Sequence, residues 1–115
     1  MITNKTKKTI IARKEKICIT GFSKFLGLMF RFRVASPLVF VFKKKEKIPL
    51  HMIFVFCRID VLFLDEKNRV VEMKERFLPF TFYFPKRKSK TVIELPAGTI
   101  RKTRTRFGDE ILMQW

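Results

Sequence analysis

At 115 residues the chain is expected to form one domain, and a hydrophobic share of 47% with 14 Phe is enough for a true core. Those proportions exclude an intrinsically disordered protein, and two cysteines exclude a disulfide-dense scaffold. Lys and Arg number 26 against 10 Asp and Glu, a formal +16 that fits either a lysine-rich background composition or a surface selected for anions.

Taken in chain order, residues 1–8 read as a loose basic N-terminus. They hold no long apolar region of the secretory type, so a cytoplasmic protein is expected. Residues 9–12 and 16–20 read as two strands around a charged turn. Phe22, Phe25, Leu26 and Met29 fall at i, i+3, i+4 and i+7, one face of a short helix that Thr20 or Ser23 would cap. Residues 38–43, 50–56 and 59–65 are dense apolar runs, the pattern of strands covered on both faces. Pro49, His51, Arg58 and Asp60 interrupt the most apolar stretch, so no membrane span is expected there. Asp65-Glu66-Lys67-Asn68 is a turn, with Asn68 suited to the left-handed backbone a hairpin needs, and residues 69–75 pair back. Residues 80–84 lie between Pro79 and Pro85 and read as a short edge strand. Residues 91–95 form another strand. Pro96-Ala97-Gly98-Thr99 turns the chain, with room for one helical turn. Phe107-Gly108-Asp109 turns it again into a last strand, 110–114.

About eight or nine mostly antiparallel strands with one short helix make an all-β fold, a small β-barrel or a jelly-roll-like sandwich. No repeat, low-complexity linker or composition shift divides the chain, so residues 1–115 are taken as a single domain.

Catalytic chemistry is thinly represented. Four glycines make neither a phosphate-binding loop nor a dinucleotide fingerprint, and Ser23, Ser36 and Ser89 lack a nucleophile-elbow context. One His and the dispersed Cys18 and Cys57 give no zinc spacing, and whether these two cysteines pair is left open. No catalytic constellation, metal or cofactor is expected, which leans against an enzyme.

Three motifs in fixed order carry a resemblance. They are Gly27-Leu28-Met29-Phe30-Arg31, then His51-Met52 leading through Ile59-Asp60 to Leu64-Asp65, then Glu94-Leu95-Pro96-Ala97-Gly98-Thr99. Together they resemble the family called domain of unknown function 192, or uncharacterised protein family 0127, across about residues 5–113. His51-Met52 is similar to the archaeal branch, where bacterial members tend to have Trp-Met. Arg58 stands where the family often has Pro, and Ser36-Pro37 where it tends to have Gly. The resemblance implies a small β-barrel or jelly-roll-like sandwich with a helix at one side, and no known activity.

Two sets of residues are candidates for binding. Asp60 lies in an apolar run, and a buried carboxylate requires hydrogen bonds or a cation. Arg31, in the first motif, is its expected partner, and a general base in a pocket is the functional alternative. His51, the sole imidazole, and Glu94, beside the Pro-Ala-Gly-Thr turn, complete a candidate small-ligand pocket of Arg31, His51, Asp60 and Glu94. The second set is cationic. Eighteen of the basic residues fall in four clusters, within residues 5–16, 43–47, 86–90 and 101–106. Lys86, Arg87, Lys88, Arg101, Lys102, Arg104 and Arg106 are the candidate phosphate contacts, with Phe80, Phe82, Tyr83, Phe84 and Phe107 as aromatic neighbours. Basic loops beside exposed aromatics track phosphates and stack bases. A non-catalytic binding module for polyanions such as RNA or DNA is therefore the leading expectation, and the small-ligand pocket its alternative.

Overall fold

The computed structural model describes residues 1–13, 16–18, 38–47, 50–51, 58–78 and 81–114. Among them are ten strands and one helix. The strands are β1 (Ile2–Asn4), β2 (Thr9–Ala12), β3 (Lys16–Cys18), β4 (Leu38–Glu46), β5 (Leu50–His51), β6 (Ile59–Leu64), β7 (Val70–Phe77), β8 (Phe82–Tyr83), β9 (Ser89–Pro96) and β10 (Ile111–Met113). The helix, α1 (Thr99–Thr103), lies between β9 and β10. The helix expected over residues 22–29 falls outside the described residues.

A five-stranded sheet runs β3-β4-β9-β6-β7 and a three-stranded sheet runs β10-β1-β2. The β5–β8 pair stands apart. Every pairing is antiparallel except β3 with β4, which is parallel. The sheets do not close into a barrel, and the fold is sandwich-like.

The five-stranded sheet is buried on both faces at its centre. All six residues of β6 are buried, as its dense apolar run, broken only by Asp60, predicts. Leu62, Leu64, Ile93 and Leu95 share one face and pack with Ile2, Ile11 and Ile111 of the three-stranded sheet and Ile100 of α1. Val61 and Phe63 point the other way, where the Tyr83 ring meets Phe63 at 5.9 Å and Phe77 at 6.2 Å.

The β6–β7 hairpin follows its sequence. Asp65 Oδ1 accepts the N–H groups of Lys67 and Arg69, at 2.9 and 3.0 Å, and Asn68 takes φ 59°. The isolated bridge between Arg69 and Glu110 ties this hairpin to the three-stranded sheet.

Two expectations need correction. The basic N-terminus is not a loose end. β1 is the central strand of its sheet, and Ile2 and Asn4 are fully buried. β2 and β3 do not pair around the intervening charged turn. β2 pairs with β1, while β3 joins the other sheet beside β4. Parallel neighbours need a long connection, and residues 19–37 supply it between β3 and β4.

Candidate anion-binding site

Asp60 organises the region where β6, β7 and α1 meet. It lies opposite Leu95 on the face of the sheet that Leu62 and Leu64 share, and it is 0% exposed. Its Oδ1 accepts the N–H of Arg76 at 2.9 Å, and its Oδ2 accepts the N–H of Ile100 at 2.8 Å. Arg76 has φ 50°, a left-handed backbone at an irregular stretch of the β6–β7 ladder. Gly98, at the N-terminal cap of α1 with φ 94°, has no side chain to accept an orphan helix N–H. Asp60 does so from a neighbouring strand. The expected partner Arg31 lies outside the described residues.

Arg76 and Ile100, the two residues Asp60 holds, line a cavity of about 380 Å³ together with Glu75, Arg101, Thr105 and Arg106. Its floor is braced from below. Thr105 is buried, bonded to Thr103 Oγ1 at 2.7 Å and to Asn4 Nδ2 at 3.1 Å. Asp109 Oδ2 accepts the Arg106 N–H, the Asn4 amide and the Lys7 ammonium, each at 2.9 Å. Burial pushes the Asp109 carboxyl up, but Asn4, Lys7 and the Arg106 N–H outweigh it and hold the group below its ordinary value of 3.8.

The cationic surface continues on both sides. Lys8 and Lys102 line a second, shallower cavity of about 440 Å³ with Thr9, Ile10, Ile11, Thr99 and Thr103. In the other direction the Arg87 guanidinium sits 5.3 Å over the ring of Phe107, itself 62% exposed. The 86–87 main chain is anchored by Glu72, whose Oε1 accepts both N–H groups at 3.0 Å. Glu72 Oε2 also accepts the Tyr83 hydroxyl. Burial first, and then this bond, push the Tyr83 phenol up to about 12.

All seven predicted phosphate contacts (Lys86, Arg87, Lys88, Arg101, Lys102, Arg104 and Arg106) are exposed. None of them forms an ion pair among the described residues, in contrast to Lys5, Lys7, Lys45 and Arg69. Arg101 and Arg106 meet at one cavity, and Arg87 joins the fourth basic cluster through Phe107.

The other predicted set is not gathered in this way. Glu94 is buried opposite Val61, whereas Asp60 is opposite Leu95, so the two carboxylates leave opposite faces of the sheet. His51 pairs with Phe82 through β5 and β8, and only its main chain is described.

Arg76 and Glu75 were missed as site residues. The signal was the run Lys74-Glu75-Arg76, where the alternation of β7 breaks before buried Phe77. Among the described residues no group of three His, Cys, Asp or Glu is close enough to hold a metal ion. No described helix is long and apolar enough to cross a membrane.

Residues 2–113 match the family model of domain of unknown function 192, described as an uncharacterised ACR. A UPF0127 protein of Thermococcus sibiricus is 40% identical over 113 residues, covering 96% of this chain and 73% of that protein. A UPF0127 protein of Pyrococcus horikoshii is 33% identical over 113 residues, covering 96% of each. Two crystal structures share the fold. One, from Novosphingobium aromaticivorans and of unknown function, has a TM-score of 0.78 at 17% identity, over 86% of this chain and 74% of that one. The other, from Sinorhizobium meliloti and provisionally described as a transcription regulator, has a TM-score of 0.76 at 21% identity, over 84% and 78%. The chain belongs to the domain of unknown function 192 family.

Proposed function

We propose that this member of the family is a non-catalytic, cytoplasmic binding module for polyanions, with single-stranded RNA or DNA as the ligand. One observation supports this reading above the others. Lys8, Arg76, Arg87, Arg101, Lys102 and Arg106 are among the exposed cations that lack carboxylate partners among the described residues, and we read them as one belt. The belt runs from Lys8 and Lys102, through Arg101, Arg76 and Arg106, to Phe107 and Arg87. Phosphates tracking that belt would release counterions, and bases would stack on the exposed Phe107 ring. The provisional description of the Sinorhizobium protein as a transcription regulator is a reason to test DNA beside RNA. The alternative, a small-ligand pocket of Arg31, His51, Asp60 and Glu94, has less support, because Asp60 and Glu94 leave opposite faces of the sheet.

The test is a titration of labelled single-stranded RNA and DNA across a range of salt. Binding tighter than about 10⁻⁶ M at about 150 mM salt is expected, with log K falling by about 0.7 per phosphate engaged for each decade of salt. The double variant Arg101→Ala, Arg106→Ala should make that slope shallower by about 1.4. Affinity near the nonspecific level of about 10⁻⁴ M, with a slope the variant leaves unchanged, would assign the +16 to background composition.

A further inference from the structure

Three arginines of the belt line one half-open hollow together, whereas Lys8 and Lys102 line a second, shallower one. Arg76, Arg101 and Arg106 line the cavity of about 380 Å³, and they come from three separate pieces of chain: β7, α1 and the turn before Phe107. The main chain beneath each is fixed by a buried carboxylate. Asp60 holds Arg76 and the Ile100 that precedes Arg101, and Asp109 holds Arg106. Anchored main chain fixes the point from which each side chain leaves, which removes the backbone share of the ordering cost of binding. None of the three forms an ion pair among the described residues.

The shape and charge of the hollow select among phosphates. An internal phosphodiester carries one negative charge and two free oxygens, and chain leaves it on both sides, so it suits an open belt. A terminal phosphate monoester carries about 1.5 to 2 negative charges and three strong acceptor oxygens. Chain leaves it on one side only, so it can enter a concave site and meet three planar donor forks. The volume is within the roughly 300–1,000 Å³ of small-ligand sites, room for the phosphate and the sugar attached to it. Glu75, on the same wall, offers only acceptors. It suits a neighbouring O–H donor such as a sugar hydroxyl.

We infer that the Arg76–Arg101–Arg106 cavity binds a phosphate monoester on a sugar, either the phosphorylated end of a strand or a free nucleotide. The strand-end form of this inference rests on the polyanion reading above. The free-nucleotide form does not.

The experiment compares one single-stranded RNA in terminally phosphorylated and hydroxyl-ended form, with adenosine monophosphate and adenosine as the free-nucleotide arm. The phosphorylated strand is expected to bind at least about tenfold more tightly, the scale of one charge-assisted contact. Arg76→Asn removes the guanidinium while keeping a residue suited to positive φ, and it should abolish that preference. Lys67→Ala, an exposed turn-tip change outside the belt, should preserve it. Equal affinity for the two strands, with adenosine monophosphate binding no better than adenosine, overturns the inference and leaves the polyanion reading standing. Failure of both strands to bind overturns the polyanion reading. If adenosine monophosphate then still binds in an Arg76-dependent way, the cavity inference holds with the free nucleotide as its ligand. If it does not, both fall.

Discussion

Replacing Asp60 tests whether this carboxylate is structural. It is fully buried, and its two oxygens each accept one main-chain N–H, at 2.9 and 2.8 Å. Asp60→Ala strands both donors in a dry environment at about 1–3 kcal/mol each. With the small void left behind, a loss of about 3–5 kcal/mol is expected. Asp60→Asn keeps one acceptor but turns an NH₂ group against the second N–H, so a loss of about 2–3 kcal/mol is expected. At a urea slope of about 1–3 kcal/mol per molar, the Asn variant should lower the unfolding midpoint by roughly 0.7–3 M. Circular dichroism across a urea series reads this directly. Hydrogen exchange adds a local readout, because the Arg76 and Ile100 amides should lose protection ahead of the centre of β6. Midpoints of wild type and Asp60→Asn within about 0.2 M of each other would refute the reasoning and return Asp60 to the functional candidates.

Two pH dependences follow from the same physics. Tyr83 is the sole tyrosine, so its phenolate absorbance can be titrated without interference. Its folded value, raised from 10.0 to about 12, favours the neutral phenol, so its contribution to stability is complete below pH 10 and lost as pH rises toward 12. Glu72→Gln should move the absorbance midpoint down toward 10, and an unchanged midpoint would show that the Glu72 bond plays no part. Asp109 has the opposite sign. Its folded value lies below 3.8, so its contribution is present above pH 3.8 and lost as pH falls through the folded value. Asp109→Asn should flatten the acid limb of a thermal-stability profile, and identical limbs would contradict the Asn4–Lys7–Asp109 network.

The parts of the fold legible in the sequence are those whose cause is local. The run Ile-Asp-Val-Leu-Phe-Leu has the pattern of a strand covered on both sides, and β6 is one. Asp65 and Asn68 carry their turn chemistry in adjacent side chains. β1 was illegible because its burial depends on distant partners. Asn4 is held by Thr105 and Asp109, more than a hundred residues away, while its neighbours in sequence are lysines and threonines. β3 lies within the run read as a strand, but its partner was illegible for a related reason, since the same short apolar run serves a hairpin or a parallel pair equally well. At the site, a buried acid in an apolar run signalled that Asp60 must be satisfied, but main-chain amides leave no mark in a sequence. Only the fold shows that residues 76 and 100 supply them.

The use of the acids explains why so much positive charge stays exposed. Ten carboxylates against 26 cations would already leave an excess. Asp60, Asp65, Glu72 and Asp109 go further, because each accepts main-chain N–H groups and so fixes a turn, a strand irregularity or a helix start. Glu94 is buried on the far face of the sheet. Asp60, Asp65 and Glu72 form no ion pair among the described residues and Asp109 pairs only with Lys7, so these four leave most of the lysines and arginines at the rim unneutralised, and three of them lie beneath the belt itself. Removing Glu72, Asp60 or Asp109 to relieve a local constraint would loosen the segment that carries Arg87, Arg76 with Arg101, or Arg106, respectively. The buried acids and the exposed cations thus form one arrangement, in which anchoring the main chain from inside leaves the guanidinium groups outside free to meet an anion.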